Sequence, residues 1–153
     1  MAELSTREVV ERFAKALRDN DLDAQDALLH DDMTEDYPQS GELIRGKANR
    51  RAMIENYPGA EAAGLPEAVL DQVVGSEDRW VVGPSYGMMH FSGTSDHFIG
   101  IGHAKYPDGT MWHIISLIEL REGKISHITS YFAEEFAPPA WRAQWVGTMP
   151  VHH

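Results

Sequence analysis

Residues 111–132 constrain the fold of this chain more than any other stretch. They read MWHIISLIELREGKISHITSYF, in which two runs of alternating, largely β-branched residues flank a break at residues 121–124. Alternation on both sides of a glycine-containing break predicts two long antiparallel strands joined by a tight turn. We expect Glu122-Gly123 to form a two-residue turn in which Gly123 adopts a positive φ.

The expected register brings polar side chains of three strands to one face. The turn at Glu122-Gly123 would pair Ile118 with His127, Ser116 with Thr129 and Ile114 with Tyr131. A second two-residue turn, at Asp108-Gly109, would pair Ile114 with His103. The residues on the shared face would then be His103, Trp112, Ser116, Thr129 and Tyr131. Buried hydroxyls and imidazoles need hydrogen-bond partners, so this face is typical of a pocket wall. One bulge or a three-residue loop would move these side chains to the other face of the sheet.

Helical patterns precede the strands. Ser5 and Glu8 form a capping box that predicts the start of a first helix, and two more helices follow before residue 59. A short strand is expected at residues 33–37, and strand periodicity resumes at residue 67, with one strand at residues 80–91. The order predicts an α+β fold in which a curved antiparallel sheet wraps around three N-terminal helices, a cone-shaped, cystatin-like α+β barrel.

The predicted domain spans residues 1–153, and residues 138–153 are expected to be a C-terminal tail that docks onto the body. Two tryptophans, Trp141 and Trp145, suggest this docking because they would otherwise be exposed.

Composition excludes several classes of function. The chain has 24 acidic and 13 basic residues, a net charge of -11, which opposes binding to nucleic acid. Cysteine is absent, and no apolar run approaches the ~18 residues of a membrane span. The amino terminus has no secretion-signal pattern, so we expect a cytoplasmic protein that does not contact membranes. The basic cluster of Arg45, Lys47, Arg50 and Arg51 is expected to be a solvated helix face.

The chain resembles the SnoaL-like and ketosteroid-isomerase-like branches of the nuclear-transport-factor-2-like superfamily. The motifs that carry the resemblance are Leu17-Arg18-Asp19-Asn20-Asp21-Leu22-Asp23, Glu35-Asp36-Tyr37-Pro38, Ile44-Arg45-Gly46 and Glu122-Gly123-Lys124-Ile125. Their order and spacing cover nearly the whole chain. The resemblance implies the cone-shaped fold, but the superfamily includes isomerases, cyclases, dehydratases, epoxide hydrolases and non-catalytic binding modules.

Ketosteroid isomerase, a worked example of pKa tuning, combines an aspartate base with an oxyanion hole formed by a tyrosine and a protonated aspartic acid. Asp36 falls on the position of the base. Phe13 stands where the isomerase has its tyrosine, and Ser116 where it has the second aspartate. The resemblance therefore implies a retained base without the family's oxyanion hole.

Three residues are the candidate catalytic groups: Asp36, His103 and Tyr131. Asp36 is either a general base in the cavity or a turn residue before Pro38. His103 could transfer a proton or hydrogen-bond a ligand, and Tyr131 could donate to a developing oxyanion. The candidate substrate-binding residues are Phe13, Tyr37, Trp112, Ile114, Ser116 and Thr129. Tyr37 is next to Asp36 along a strand and should point to the opposite face.

The favoured hypothesis is a small, cofactor-independent enzyme that transfers a proton on a hydrophobic, carbonyl-containing small molecule, as isomerases, dehydratases and cyclases do. The alternatives are a non-catalytic small-molecule-binding or accessory module and an epoxide hydrolase. No metal site is expected, because the eight histidines lack ligand spacing such as His-Glu-x-x-His. Apolar residues on the outer sheet face predict a homodimer through the sheet.

Overall fold

The structure, a computed structural model, describes residues 3–75 and 96–150. The expected strand at residues 80–91 lies outside them. The helices are α1 (Thr6–Arg18), α2 (Leu22–Leu28), α3 (Lys47–Glu55), the short α4 (Ala60–Ala63) and a C-terminal 3₁₀ helix (Ala140–Trp145). The strands are β1 (Leu29–Tyr37), β2 (Glu42–Arg45), β3 (Glu67–Gly75), β4 (His97–Lys105), β5 (Met111–Arg121) and β6 (Lys124–Glu134).

Within the described ranges, the six strands form one sheet in the order β2-β1-β6-β5-β4-β3. Neighbouring strands are antiparallel except β1 and β6, which run parallel because the long stretch from β2 to β5 separates them in the chain. The sheet is curved and does not close on itself, and the helices precede most of its strands. The predicted α+β fold with a curved sheet and N-terminal helices is confirmed.

Helix α1 fills part of the concave side of the sheet. The predicted capping box is present, since the Ser5 hydroxyl accepts a hydrogen bond from the Glu8 amide and the Glu8 carboxylate accepts one from the Ser5 amide. The buried stripe of α1 packs in one core cluster with inward residues of the sheet, and this cluster includes Val9, Val10, Phe13, Phe98 and Ile118. Truncating a ring such as Phe13 to alanine would cost about 3–5 kcal/mol at such a position.

The register between β5 and β6 differs from the expected one because β6 contains a bulge. The turn is as predicted: Glu122 and Gly123 have φ of 50° and 75°, and Arg121 pairs with Lys124. Leu120 then pairs with Ile125 but Glu119 pairs with His127, which leaves Ser126 as the extra residue. Its hydroxyl donates to the Glu119 carbonyl at 3.2 Å.

The bulge moves each later residue of β6 by one position. Ser116 pairs with Ser130 and Ile114 with Phe132, so the predicted pairs with Thr129 and Tyr131 are wrong. An odd shift exchanges the two faces of a strand, and Thr129 and Tyr131 consequently lie on the outer face.

The loop between β4 and β5 has one residue more than expected. Tyr106 pairs with Thr110 through a 3.0 Å backbone bond, which leaves three loop residues, and Gly109 supplies the positive φ of 87°. His103 consequently pairs with His113 rather than with Ile114, so its predicted register is also wrong.

The C-terminal segment does not dock as expected. Trp141 and Trp145 in the 3₁₀ helix are 72% and 71% exposed, and Phe136 and Met149 on either side are more exposed still. In the described parts of the chain, no helix combines the length and apolarity needed to cross a membrane.

Candidate functional site

A cavity of about 500 Å³ lies between the concave face of the sheet and helices α1 and α3. Its inner wall consists of buried, largely apolar side chains, including Phe13, Leu70, Ile114, Ile118 and Ile128. Its rim carries exposed residues of the loops after β1 and β4. An apolar, partly enclosed space of this size is suited to a small organic molecule.

A buried ion pair stands in the cavity wall. Arg50 on α3 donates from Nε to Oε2 of Glu35 on β1 at 3.0 Å, and their side chains are 7% and 8% exposed. Arg50 Nη1 also donates to Gln25 Oε1 at 2.9 Å, and Gln25 donates to the Ala16 carbonyl. This network fixes the direction of the Glu35 carboxylate, and Arg50 balances its charge in the apolar surroundings.

Arg50 is the exception within the basic cluster. Arg45 is exposed, as expected, but it ends strand β2 and is not part of a helix face. The expected solvated face is wrong for Arg50, which is buried with its guanidinium 5.4 Å from the centre of the Phe13 ring. Lys47 and Arg51 are partly exposed and form ion pairs with acidic residues, Asp31 for Lys47 and Asp23, Asp26 and Glu55 for Arg51.

Tyr37 contributes a neutral phenol to the same cavity. Burial raises the pKa of Tyr37 well above its usual value, and the negative charge of Glu35 raises it further. The ring makes an edge contact with Phe132, their centroids 5.2 Å apart. The phenol therefore stays protonated at neutral pH and can act as a hydrogen-bond donor beside a carboxylate.

Three aromatic side chains form one side of the rim. Tyr106 lies between Tyr57 and Trp112, with ring centroids 5.4 and 5.8 Å apart. Burial raises the pKa of Tyr106 to about 12. The Trp112 indole donates to the Thr110 hydroxyl at 2.9 Å, and that hydroxyl donates to Asp108 at 2.6 Å, so the β4–β5 loop orients the indole.

Asp36, the predicted base, lies on the outer face of the sheet. Its Oδ1 is 2.6 Å from Nε2 of His127 and accepts a 2.9 Å hydrogen bond from Thr129. The second His127 nitrogen is 2.6 Å from the Thr34 hydroxyl. The expectation that Asp36 and Thr129 face the cavity is wrong, because each is an odd number of residues from an inward neighbour on its strand.

The other two predicted catalytic residues also lie outside the cavity. His103 is 2.7 Å from Asp71 on the outer face, and Tyr131 is exposed there. The predicted convergence of Asp36, His103 and Tyr131 does not occur, since the bulge in β6 and the three-residue loop after β4 each reverse a face.

Five of the predicted binding residues do line the cavity: Phe13, Tyr37, Trp112, Ile114 and Ser116. Sequence reasoning missed the polar residues Glu35, Arg50, Gln25 and Ser130. Strand alternation was sufficient to find Glu35, because a Tyr37 that faces the cavity requires Glu35, two residues earlier, to face it too. Arg50 carried no comparable signal, since its partner is 15 residues away and becomes its neighbour only through the fold.

The described histidines and carboxylates do not gather into a metal site. In residues 3–75 and 96–150, no three His, Asp or Glu side chains are close enough together to hold a metal ion.

The family of the chain follows from its sequence match. The SnoaL-like domain family matches residues 10–128, more than half of the chain. This is a SnoaL-like protein. No protein with a curated description matches it.

Solved structures similar to this SnoaL-like protein share its fold. An NTF-2 like protein of unknown function from Burkholderia xenovorans LB400 is 30% identical, with 95% of each chain covered and a TM-score of 0.64. A putative ketosteroid isomerase from Kribbella flavida is 18% identical over 95% of this chain and 90% of its own, with a TM-score of 0.68. A LEH-like epoxide hydrolase from M. tuberculosis is 16% identical over 84% and 82% of the two chains, with a TM-score of 0.56.

Proposed function

We propose that this SnoaL-like protein is an enzyme that transfers a proton on an apolar, carbonyl-containing small molecule, in the manner of an isomerase, dehydratase or cyclase. The observation that carries the proposal is the Glu35 carboxylate, held by Arg50 in the wall of an apolar cavity that also contains the neutral Tyr37 phenol. A positioned carboxylate and a phenol donor are the two groups that proton abstraction next to a carbonyl needs.

In the proposed reaction, Glu35 takes a proton from the carbon next to the carbonyl group. The electron pair of the broken C–H bond moves to the carbonyl oxygen, and Tyr37 stabilises the resulting enolate by donating a hydrogen bond. Return of the proton from Glu35 to another carbon gives isomerisation. Its delivery to a hydroxyl on the carbon next to the enolate carbon, which then leaves as water, gives dehydration. Attack of the enolate carbon on a second carbonyl, whose oxygen takes the proton, gives cyclisation. The apolar wall strengthens these interactions because it excludes water.

The test uses a step common to all three outcomes. The protein is incubated with 2-decalone in D₂O, and deuterium incorporation next to the carbonyl is followed by mass spectrometry. Glu35→Gln should slow exchange by about 100-fold or more. Asp36→Asn, which neutralises the adjacent carboxylate on the outer face, should leave the rate unchanged.

Protein stability needs its own control in this test. Glu35→Gln leaves the Arg50 charge buried without its partner, at a cost of roughly 3–5 kcal/mol. The double variant Glu35→Gln/Arg50→Met removes both charges and should fold with a thermal midpoint near that of the wild type, yet fail to catalyse exchange. Wild-type exchange rates in a folded double variant would contradict the proposal.

Epoxide hydrolysis and ligand binding without catalysis are the two alternative functions. Arg50 between Glu35 and Gln25 favours epoxide hydrolysis as the second candidate, since an arginine and a carboxylate lie together in the cavity. Hydrolysis of cyclohexene oxide without 2-decalone exchange would support it. The dispersal of Asp36, His103 and Tyr131 instead favours a binding module, which would bind 2-decalone without catalysing either reaction.

We also propose that a second copy of the chain covers the outer face of the sheet. Ile115 and Leu117 on β5 are 49% and 41% exposed there, next to exposed Ile101 and Tyr131. Around them stand four histidines paired with carboxylates: His97 with Glu119, His103 with Asp71, His113 with Glu135 and His127 with Asp36. An apolar centre within a polar rim is the arrangement of a protein interface.

A further inference from the structure

Two serine hydroxyls form a pair in the cavity wall opposite the helices. Ser116 on β5 and Ser130 on β6 are directly cross-strand, and their Oγ atoms are 2.9 Å apart. They are 8% and 3% exposed, and both line the cavity. In the parallel pairing of β1 with β6, Asp36 is level with Thr129, so the next residue, Tyr37, is level with Ser130.

The hydroxyl pair has one hydrogen-bond donor to spare. Each serine has one O–H and two lone pairs, and the bond between them uses one O–H. In the part of the chain that the structure describes, this is the one side-chain hydrogen bond that either hydroxyl makes. The second O–H is therefore available to a molecule in the cavity.

The surroundings make that spare donor selective. Ile114, Ile118 and Ile128, each two residues from a serine of the pair on the same strand, line the cavity beside it. The neighbouring polar side chain on β1 is the Tyr37 phenol. A ligand oxygen placed here would satisfy the donor, whereas a hydrocarbon would leave it without a partner. Sites built to hydrogen-bond a ligand oxygen discriminate strongly against analogues that lack it.

Charge limits the ligand further. Arg50 is the one cation among the described residues that line the cavity, and its guanidinium already binds Glu35 and Gln25. The exposed rim residues Glu42 and Asp108 are acidic. A carboxylate ligand would lose its hydration shell and would find no unpaired cation to bind, which is unfavourable in an apolar space.

We propose that the Ser116–Ser130 pair is a specificity-determining subsite that selects neutral oxygenated molecules, ketones or alcohols on an apolar skeleton, and that the cavity rejects carboxylates. The subsite deepens the proposed function and rests on the same cavity. Its binding selectivity, however, does not depend on Glu35 acting as a base.

The test compares three ligands with one skeleton: 2-decalone, decahydro-2-naphthol and decahydro-2-naphthoate. Dissociation constants are measured by isothermal titration calorimetry. The ketone and the alcohol should bind at least about 10-fold more tightly than the carboxylate. Equal or tighter binding of the carboxylate, or no binding of the ketone at millimolar concentration, overturns the proposal.

A double variant isolates the serine pair. Ser116→Ala/Ser130→Ala removes both partners of one buried hydrogen bond, so it leaves no orphaned hydroxyl and should fold. It should weaken binding of 2-decalone and decahydro-2-naphthol by about 3- to 10-fold and leave the carboxylate unaffected. Thr34→Val, which removes a hydroxyl from the outer face, is the matched control and should change none of the three constants.

The two proposals fail separately. If Glu35→Gln/Arg50→Met binds the ketone with the wild-type preference but wild-type protein shows no deuterium exchange, the proton-transfer function is wrong and the subsite stands. If exchange depends on Glu35 but the double serine variant binds 2-decalone as the wild type does, the subsite is wrong.

Discussion

Tyr37 is the residue through which the cavity should respond to alkaline pH. Its pKa is raised in the folded protein by burial and by the Glu35 charge, whereas an unfolded tyrosine titrates near pH 10. A raised folded-state pKa gives a stabilisation that is fully present below the unfolded pKa and is lost as pH rises towards the folded value. The free energy of unfolding should therefore fall above about pH 10.

Tyr37→Phe should make that decline shallower, as measured by urea unfolding at a series of pH values. Phe132→Leu, at the ring that contacts Tyr37, changes packing without removing a titratable group. It should lower stability at every pH and keep the wild-type pH slope. An unchanged slope in Tyr37→Phe would show that the phenol does not contribute to the alkaline loss.

For single residues, the sequence predicted the face of a side chain correctly where alternation along one strand was enough to decide it. Alternation along β5 correctly placed Trp112, Ile114 and Ser116 in the cavity. It failed for His103 and Tyr131, because their faces depend on pairing with a neighbouring strand through a loop or bulge. The same alternation that placed Tyr37 in the cavity excluded Asp36 from it, so the carboxylate that lines the cavity, Glu35, could be read from the sequence one residue earlier.

The bulge at Ser126 is the element that decides which residues of β6 enter the cavity. Deleting Ser126 would remove the extra residue and leave regular pairing, with His127 still opposite Glu119 and Ile128 still opposite Ile118. Ile128 and Ser130 would therefore keep facing the cavity. We expect the deletion to fold and to lower the free energy of unfolding by no more than about 3 kcal/mol.

Circular dichroism during thermal unfolding measures this effect. Deletion of Gly147, which lies in the exposed C-terminal segment, is the control and should leave the midpoint near the wild-type value. A Ser126 deletion that does not fold would show that the sheet requires the bulge itself and not only the register that follows it.

Element types were easier to predict from the sequence than their junctions. The capping box at Ser5 and the Glu122-Gly123 turn formed as expected, because each is specified by residues next to one another in the chain. The bulge depends on how an extra residue is accommodated over the whole β5–β6 ladder, and the three-residue loop differs from a two-residue turn only in where hydrogen bonding stops. Neither difference has a distinct local composition.

At the scale of the whole molecule, the proposed pairing of two chains has a direct test. Light scattering after size-exclusion chromatography should give the mass of a dimer. Ile115→Lys would place a charge at the centre of the outer face and should yield a monomer, because an unpaired charge is costly to bury. Ala48→Lys, which adds the same charge on the exposed side of α3, is the control and should remain dimeric.

The monomeric variant should retain 2-decalone binding, since the cavity lies on the opposite side of the sheet from Ile115. A wild-type protein with the mass of one chain would contradict the pairing without affecting the cavity.

Because one extra residue in β6 sets which side chains meet the ligand, insertions and deletions in this strand could diversify the chemistry of the fold. A gain or loss of one residue that no bulge absorbs would exchange a whole row of interior and exterior groups, a larger change of site than any single substitution makes. Descent from a common ancestor could therefore preserve the order of strands while replacing the reactive groups together. Site residues should be transferred between relatives only when their strands carry the same bulge.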